Sequence, residues 1–578
     1  MKRILWIVLG ILLVVPGQAR VIPRERAAAT ATEVLGNFQS APDVRLVKET
    51  SGTYIFENEG GGYAIVAAED LAIPVLGYSP SGHFPVDDMP DNLRSMLDWY
   101  DSVIDYARKQ GWTATTREIP SVKAGEEGEV LLHTVPWHQD YPFNDLCPRI
   151  RNQACPSGCV ATAIAIIMKY HSYPDHGTGS LPAYDYGSGR YHMDGHDLGH
   201  TYHWDMMPDR AKSFSKEEAA EIAQLLFDVG VMCQMDYSPQ GSGAVSNSPL
   251  KMARYFGYDK GMRYVDRAYY TTGEWEKMMR DEIDAGRPLF HCGYDRDGGH
   301  AFVVDGYKGR YFSVNLGWGD PSSYFLMTPV DGHDAELIDF IYYQSIVTHI
   351  QPDIGSEPYI DMSIPYDWIP LAWDFQSKTM PGGGLQLLPN ATVEANIDVA
   401  YAHFDRNNQF KQVLSPIVTY SVDDVSAMYP EVTVNIPESI VDGDCIALAR
   451  RAGDTWVPLT QSRHCYMRFD LSRKLKQMVS FGCFGGISTR GGGNKTRTLF
   501  FDMYQDLRWE IQSEDGSTVY LTSSFDWWDE PCRVEYGYGQ VSDDEPDLMR
   551  YFCYLKIGKT YRMVIRNVNE TMSFTFSL

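Results

Sequence analysis

The sequence predicts a multidomain chain: an α/β segment, then an α+β domain, then one or two all-β sandwiches. Three observations predict this. The chain has 578 residues, too many for a single hydrophobic core. Up to about residue 352, helical and strand periodicities are mixed along the chain. From about residue 353, only short alternating runs separated by turn residues remain. Charged residues make up 22% and hydrophobic residues 44% of the chain, a globular balance that excludes bulk disorder. The net charge of −26 repels phosphate backbones and so argues against nucleic-acid binding. Composition names no activity, so the activity has to come from local motifs.

The first element is an export signal. Lys2 and Arg3 precede an apolar run over residues 4–15, followed by Pro16, Gly17, Gln18 and Ala19. About 12 apolar residues fall short of the roughly 20 needed to cross a bilayer, so residues 1–19 read as a signal peptide cleaved after Ala19. No later run is long enough to span, so the mature chain is expected to be secreted or cell-surface, without a transmembrane segment. Export places the ten Cys where disulfides persist. Five precede residue 300 and five follow residue 440. If bridges form within each region, at least one thiol in each is left unpaired. No Cys-x-x-Cys occurs, which argues against a thiolate zinc site.

Residues 20–128 form the first segment. Residues 61–67 alternate as a strand, and Leu93, Met96, Leu97 and Tyr100 give helical spacing over 91–108. It ends in a polar stretch, 121–129, containing Gly125 and Gly128, where a protease has access. Residues 129–352 mix both periods. A helix is predicted over 159–171, and a capping box at Ser215 and Glu218 opens another through Val231. A third, over 274–285, is stopped by Gly286 and Pro288. Strands are predicted over 301–305 and 311–315, joined across Lys308 and Gly309. Runs at 393–400, 432–436, 498–503 and 560–566 carry the β pattern, read as sandwiches over 353–470 and 471–578.

The chemistry centres on Cys159. Gly158-Cys159 immediately precedes a helix, where the macrodipole favours thiolate, and Gly158 leaves room for a substrate carbonyl. Gln153 lies upstream as a donor to an oxyanion. His300 enters an apolar strand after Gly298 and Gly299, placed to serve as the base for a thiol. Asn315 follows on the next strand, where a carboxamide can fix the imidazole tautomer and Trp318 can shield that bond from water. Each residue alone has a structural explanation: a buried Cys, a His capping a strand. The order Gln, Cys, His, Asn in these contexts is far more specific.

The stretch 153–163, continuing through Met168, Lys169, Tyr170 and His171, resembles the nucleophile motif of the streptopain family, secreted bacterial cysteine peptidases with a papain-like fold. Residues 299–303 and the turn Gly317-Trp318-Gly319 resemble its histidine motif. Met235, Asp236 and Tyr237, followed by the Gly/Ser-rich 239–246, resemble its substrate loop. The resemblance runs from Val135 to roughly Pro352. It implies Cys159 as nucleophile, His300 as general base and then acid, and Gln153 as oxyanion donor. It further implies substrate contacts at Gly299, Ser242 and Gly243, no cofactor and no metal, and residues 20–128 as an inhibitory propeptide. Where the family has Trp after the Asn, this chain has Leu316, which leaves the shielding to Trp318. Cys155 also departs from the motif; it either pairs with Cys147 or is free.

Other signals carry less. His192, His196, His200 and His203 have helical spacing, but the glycines among them argue for a loop and not a metal site. Asp295 and Asp297 lack the remaining ligands of a calcium loop. The sequence thus predicts a cysteine endopeptidase made as a zymogen and acting on extracellular proteins or peptides, with its own propeptide as partner. The rivals are an amidase or transglutaminase on the same fold, and a binding protein acting through its β domains.

Overall fold

The computed structural model describes residues 20–87, 89–112, 128–267, 270–294, 299–330, 344–364, 379–382, 385–423 and 427–459, with shorter strand segments from there to 577. The chain folds as two compact units, Met1–Tyr359 and Ile360–Leu578.

The first unit opens with α1 (Arg24–Leu35), which buries Ala27, Ala31, Val34 and Leu35 at helical spacing. It packs on four antiparallel strands, β1 (Val44–Glu49), β2 (Thr53–Asn58), β3 (Tyr63–Ala67) and β4 (Val75–Ser79). Helix α2 (Asp91–Gln110) follows and ends at Gly111, whose φ of 69° gives the left-handed stop. After β5 (Glu129–Leu131) and a two-stranded hairpin, β6 (Arg149–Ile150) and β7 (Gln153–Ala154), comes α3 (Cys159–His171). Every residue from Val160 to Met168 is buried, so α3 runs through the core.

Four short strands follow: β8 (Ser180–Leu181), β9 (Tyr184–Tyr186), β10 (Tyr191–Met193) and β11 (His196–Asp197). They pair β8 with β11 and β9 with β10, forming one hairpin arm. Helix α4 (Lys216–Met232) starts at the predicted capping box, with Glu218 N–H donating to Ser215 Oγ at 3.1 Å and Ser215 N–H to Glu218 Oε2 at 2.8 Å. Then come α5 (Met252–Tyr255), β12 (Arg263–Asp266), α6 (Thr272–Asp284), β13 (Leu289–Tyr294), β14 (Gly299–Lys308), β15 (Tyr311–Asn315), β16 (Ser323–Phe325) and β17 (Gln344–Thr348).

The first segment is not a separate body. One sheet runs β1-β2-β3-β4-β16-β15-β14-β13-β17-β12, with β5 added on β14. Its seam is β4 on β16, with Tyr78 opposite Tyr324 and Gly77 opposite Phe325. Tyr78 and Tyr324 stack at 4.9 Å, and Tyr311 meets Tyr78 edge-on at 5.1 Å. Tyr100 of α2 donates to Leu76 O at 3.0 Å and to Leu326 O at 2.7 Å, one carbonyl on each side of the seam. A side chain at Gly77 would meet Tyr324 O at 2.8 Å, so the close approach needs glycine there.

In the second unit the described elements are all strands. Asn396–Phe404 and Cys445–Ala452 are the centre of a six-stranded antiparallel sheet. One face buries Tyr401 and Leu448 with Met362, Leu387 and Val434; the other buries Ala402, Phe404 and Trp456. Thr560–Arg566 lies between Arg508–Ser513 and Thr571–Ser577 in a four-stranded sheet.

Candidate active site

Gly158 caps α3 with a φ of 89°, a conformation that favours glycine. A side chain there would meet Met235 Sδ and Ser242 O, each at 2.8 Å. Glycine is therefore required by the neighbouring loop as well as by the backbone. Cys159 is half-buried. Burial pushes its thiol above the ordinary value, and the carboxylate of Asp91 in α2 pushes the same way. Backbone hydrogen bonds from Ala301, Val160 and Cys159 itself oppose this without reversing it. The helix N-terminus was expected to favour thiolate; burial, the largest influence on this thiol, acts against that.

The contact with Ala301 places the thiol against β14 one residue beyond His300, which is half-buried and stands opposite Gly293. Cys159 and His300 are thus brought to one place by α3 and β14. Asn315 is buried and held by its neighbours. Its Nδ2 donates to Thr134 Oγ1 at 3.0 Å and to Val135 O at 2.8 Å, and its Oδ1 accepts from Gly317 N–H at 3.1 Å. Trp318 is 37% exposed and lines a pocket at the seam with Tyr63, His83, Leu93 and Leu316. Leu316 packs against the core of the first segment, and its carbonyl accepts from Asn92 Nδ2 at 2.8 Å. Trp318 and Leu316 thus lie against the first segment, next to Asn315 at the end of β15.

Gln153 lies exposed beside the turn of the β6–β7 hairpin, where Arg151 and Asn152 have positive φ. A different carboxamide residue, Gln139, is buried next to the nucleophile motif. Its main-chain carbonyl accepts from Ser157 N–H at 3.0 Å and Ser157 Oγ at 3.3 Å, two residues before Cys159. Sequence reading passed over Gln139 because it lies far upstream; the signal was the segment Trp137-His138-Gln139 at the start of the resemblance.

Ser242 is buried with its carbonyl against Gly158. Gly243 pairs with Asp236 in both directions, at 2.8 and 3.2 Å, so its N–H is used inside the loop and is not offered to substrate in this state. Gly299 is exposed at the start of β14, and residues 295–298 lie outside the described residues. Cys147 and Cys155 are both buried and unbridged. The four histidines face carboxylates from strands and loops: His192 with Asp185, His196 and His200 with Asp228, His203 with Glu221.

Residues 137–325 match the Peptidase C10 family, and residues 23–104 match the Spi protease inhibitor family. Fold and matches together define a cysteine-type peptidase made as a zymogen, with an inhibitor-like propeptide domain ahead of the catalytic one. Streptopain of Streptococcus pyogenes is 32% identical over 352 residues, covering 54% of this chain and 86% of that protein. Thiol protease/hemagglutinin PrtT of Porphyromonas gingivalis is 33% identical over 354 residues; the match covers 56% of this chain and 40% of that longer relative. A solved structure of a Prevotella intermedia prointerpain A fragment is 31% identical, with 55% of this chain and 100% of that chain covered and a TM-score of 0.47. The chain belongs to the peptidase C10, or streptopain, family.

Proposed function

We propose that this chain is an exported cysteine endopeptidase that hydrolyses peptide bonds of extracellular proteins once residues 20 to about 128 are removed. The observation that carries the reading is Cys159, set at the N-terminus of α3 by Gly158, with its thiol against β14 beside His300. In the mature enzyme His300 takes the thiol proton and Cys159 Sγ attacks the substrate carbonyl carbon. The oxyanion is held by the Cys159 N–H and a carboxamide, a role assigned here to Gln139 in place of Gln153. His300 then protonates the leaving amine, and a water that it deprotonates cleaves the thioester, returning the thiol. Asn315 orients the His300 imidazole, and Trp318 shields that pair from water. Gly299, Ser242 and the loop around Gly243 border the substrate cleft.

The proposed division is a signal peptide to residue 19, a propeptide over 20–128, a catalytic domain over 129–352 and β domains over 353–470 and 471–578. Among the described residues no helix is long and apolar enough to cross a membrane. The test is to incubate residues 20–578 and its Cys159→Ala variant under mild reduction with casein, following intact mass. The reading expects wild type to trim itself near residue 128 and digest casein while the variant does neither. Casein left whole by wild type, even after an added protease removes the first segment, would overturn it.

A further inference from the structure

The hairpin arm formed by β8 to β11 has no part in the chemistry above, yet its tip reaches the loop beside the nucleophile. Its base is fixed to α4. Asp228 is fully buried and accepts from three donors, His196 at 2.8 Å, Gln224 at 2.8 Å and Tyr202 at 2.6 Å, with His200 Nε2 a further 2.7 Å neighbour. A buried carboxylate saturated in this way is a strong anchor. At the tip, Tyr184 OH donates to Met235 O at 2.9 Å, and Gly187 N–H donates to Asp236 Oδ1 at 2.7 Å.

Residues 235–236 are where these contacts converge. Met235 N–H closes the end of α4 on Gly230 O at 3.0 Å, and the Asp236 backbone pairs with Gly243. The buried Met235 side chain and the Ser242 carbonyl then abut Gly158, the residue before Cys159. The arm thus adds two hydrogen bonds to those that the helix end and the Gly243 pairing give Met235 and Asp236.

We propose that Tyr184 and Asp236 are positioning residues for the peptidase reaction, fixing Met235 and Ser242 as a rigid wall beside Cys159 against which the substrate backbone lies. The inference rests on the peptidase reading above. The arm acts through the loop and never touches the reacting atoms, so it governs substrate binding and leaves the nucleophile alone. The Asp236 contact needs only an acceptor for a backbone N–H, which Asn supplies as well as Asp.

The test uses the full-length chain after maturation under mild reduction, with a fluorogenic peptide taken from a casein cleavage site. Tyr184→Phe and Asp236→Ala should each raise KM about three- to tenfold, the worth of one lost hydrogen bond, with kcat nearly unchanged. Asp236→Asn should restore the wild-type KM, and the rate at which iodoacetamide alkylates Cys159 should be the same in all four proteins. Unaltered KM in both variants would overturn the proposal. So would an Asp236→Asn variant as impaired as Asp236→Ala, or a parallel fall in kcat, alkylation rate and thermal stability. A wild-type chain that cleaves no peptide would instead overturn the peptidase reading, and this proposal with it.

Discussion

Asp91 acts on Cys159 across the boundary between the propeptide and the catalytic domain, and its carboxylate adds to burial in disfavouring thiolate. Removing that charge should therefore lower the apparent pKa of Cys159 in the precursor. Asp91→Asn is expected to shift the pH profile of iodoacetamide alkylation to lower pH, and an unshifted profile would show burial acting alone. The two glutamines make a second contrast. Gln139→Ala in the matured enzyme should lower kcat by about 10²- to 10³-fold if its carboxamide holds the oxyanion, while Gln153→Ala should change kcat little. Equal losses, or a loss at Gln153 alone, would return the role to the hairpin. Cys159 and His300 were legible because each sits in a short local pattern, a glycine before a helix and glycines before a strand. Gln139 was not, since only folding brings residue 139 against Ser157. The bonds of Asn315 to Thr134 and Val135 were equally hidden, since they join residues some 180 positions apart.

At the scale of elements, the start of α3 depends on Gly158. Alanine there would carry a φ of 89° and place a methyl 2.8 Å from both Met235 Sδ and Ser242 O. Gly158→Ala should cost about 1–3 kcal/mol of stability, read from chemical denaturation, and slow cleavage by displacing the wall beside Cys159. In the propeptide, Glu57 of β2 ties the sheet to the loop before α2. Burial pushes its carboxyl up, but Phe84 N–H, Arg45 and His83 together hold it below the ordinary 4.5. A lowered folded-state pKa contributes stability that is complete above the unfolded value and lost as pH falls through the folded one. The precursor should therefore lose thermal stability below about pH 4.5, and Glu57→Gln should be less stable at neutral pH with a flatter acid limb. Identical curves for the two proteins would contradict this. The capping box at Ser215 made α4 legible, the stop at Gly286 and Pro288 marked α6, and the apolar spacing from Leu93 marked α2. Strand β2 escaped because all six of its residues are buried, which removes the alternation that marks a half-exposed strand.

For the whole molecule, the continuous sheet explains how one chain can carry both an enzyme and its inhibitor. The seam of β4 on β16, closed by Tyr78, Tyr100, Tyr311 and Tyr324, docks the propeptide by backbone pairing and aromatic packing, and α2 follows from it toward Cys159. The succession of mixed and all-β regions was legible from the change in period near residue 353, close to the boundary at Tyr359. The shared sheet was not, because pairing between residues 75–79 and 323–325 leaves no local trace in either stretch. The reading proposed above expects a thiol shielded in the precursor and released on maturation. The most direct measurement is to label the precursor and the matured chain with limiting iodoacetamide and map the modified cysteine, with casein cleavage followed in parallel. Cys147, Cys155 and Cys233 are buried thiols, so they serve as internal controls. The account predicts label on Cys159, slow in the precursor and fast after maturation, with activity lost in step. Label on another cysteine, or on Cys159 at the same rate in both forms with activity retained, would contradict it.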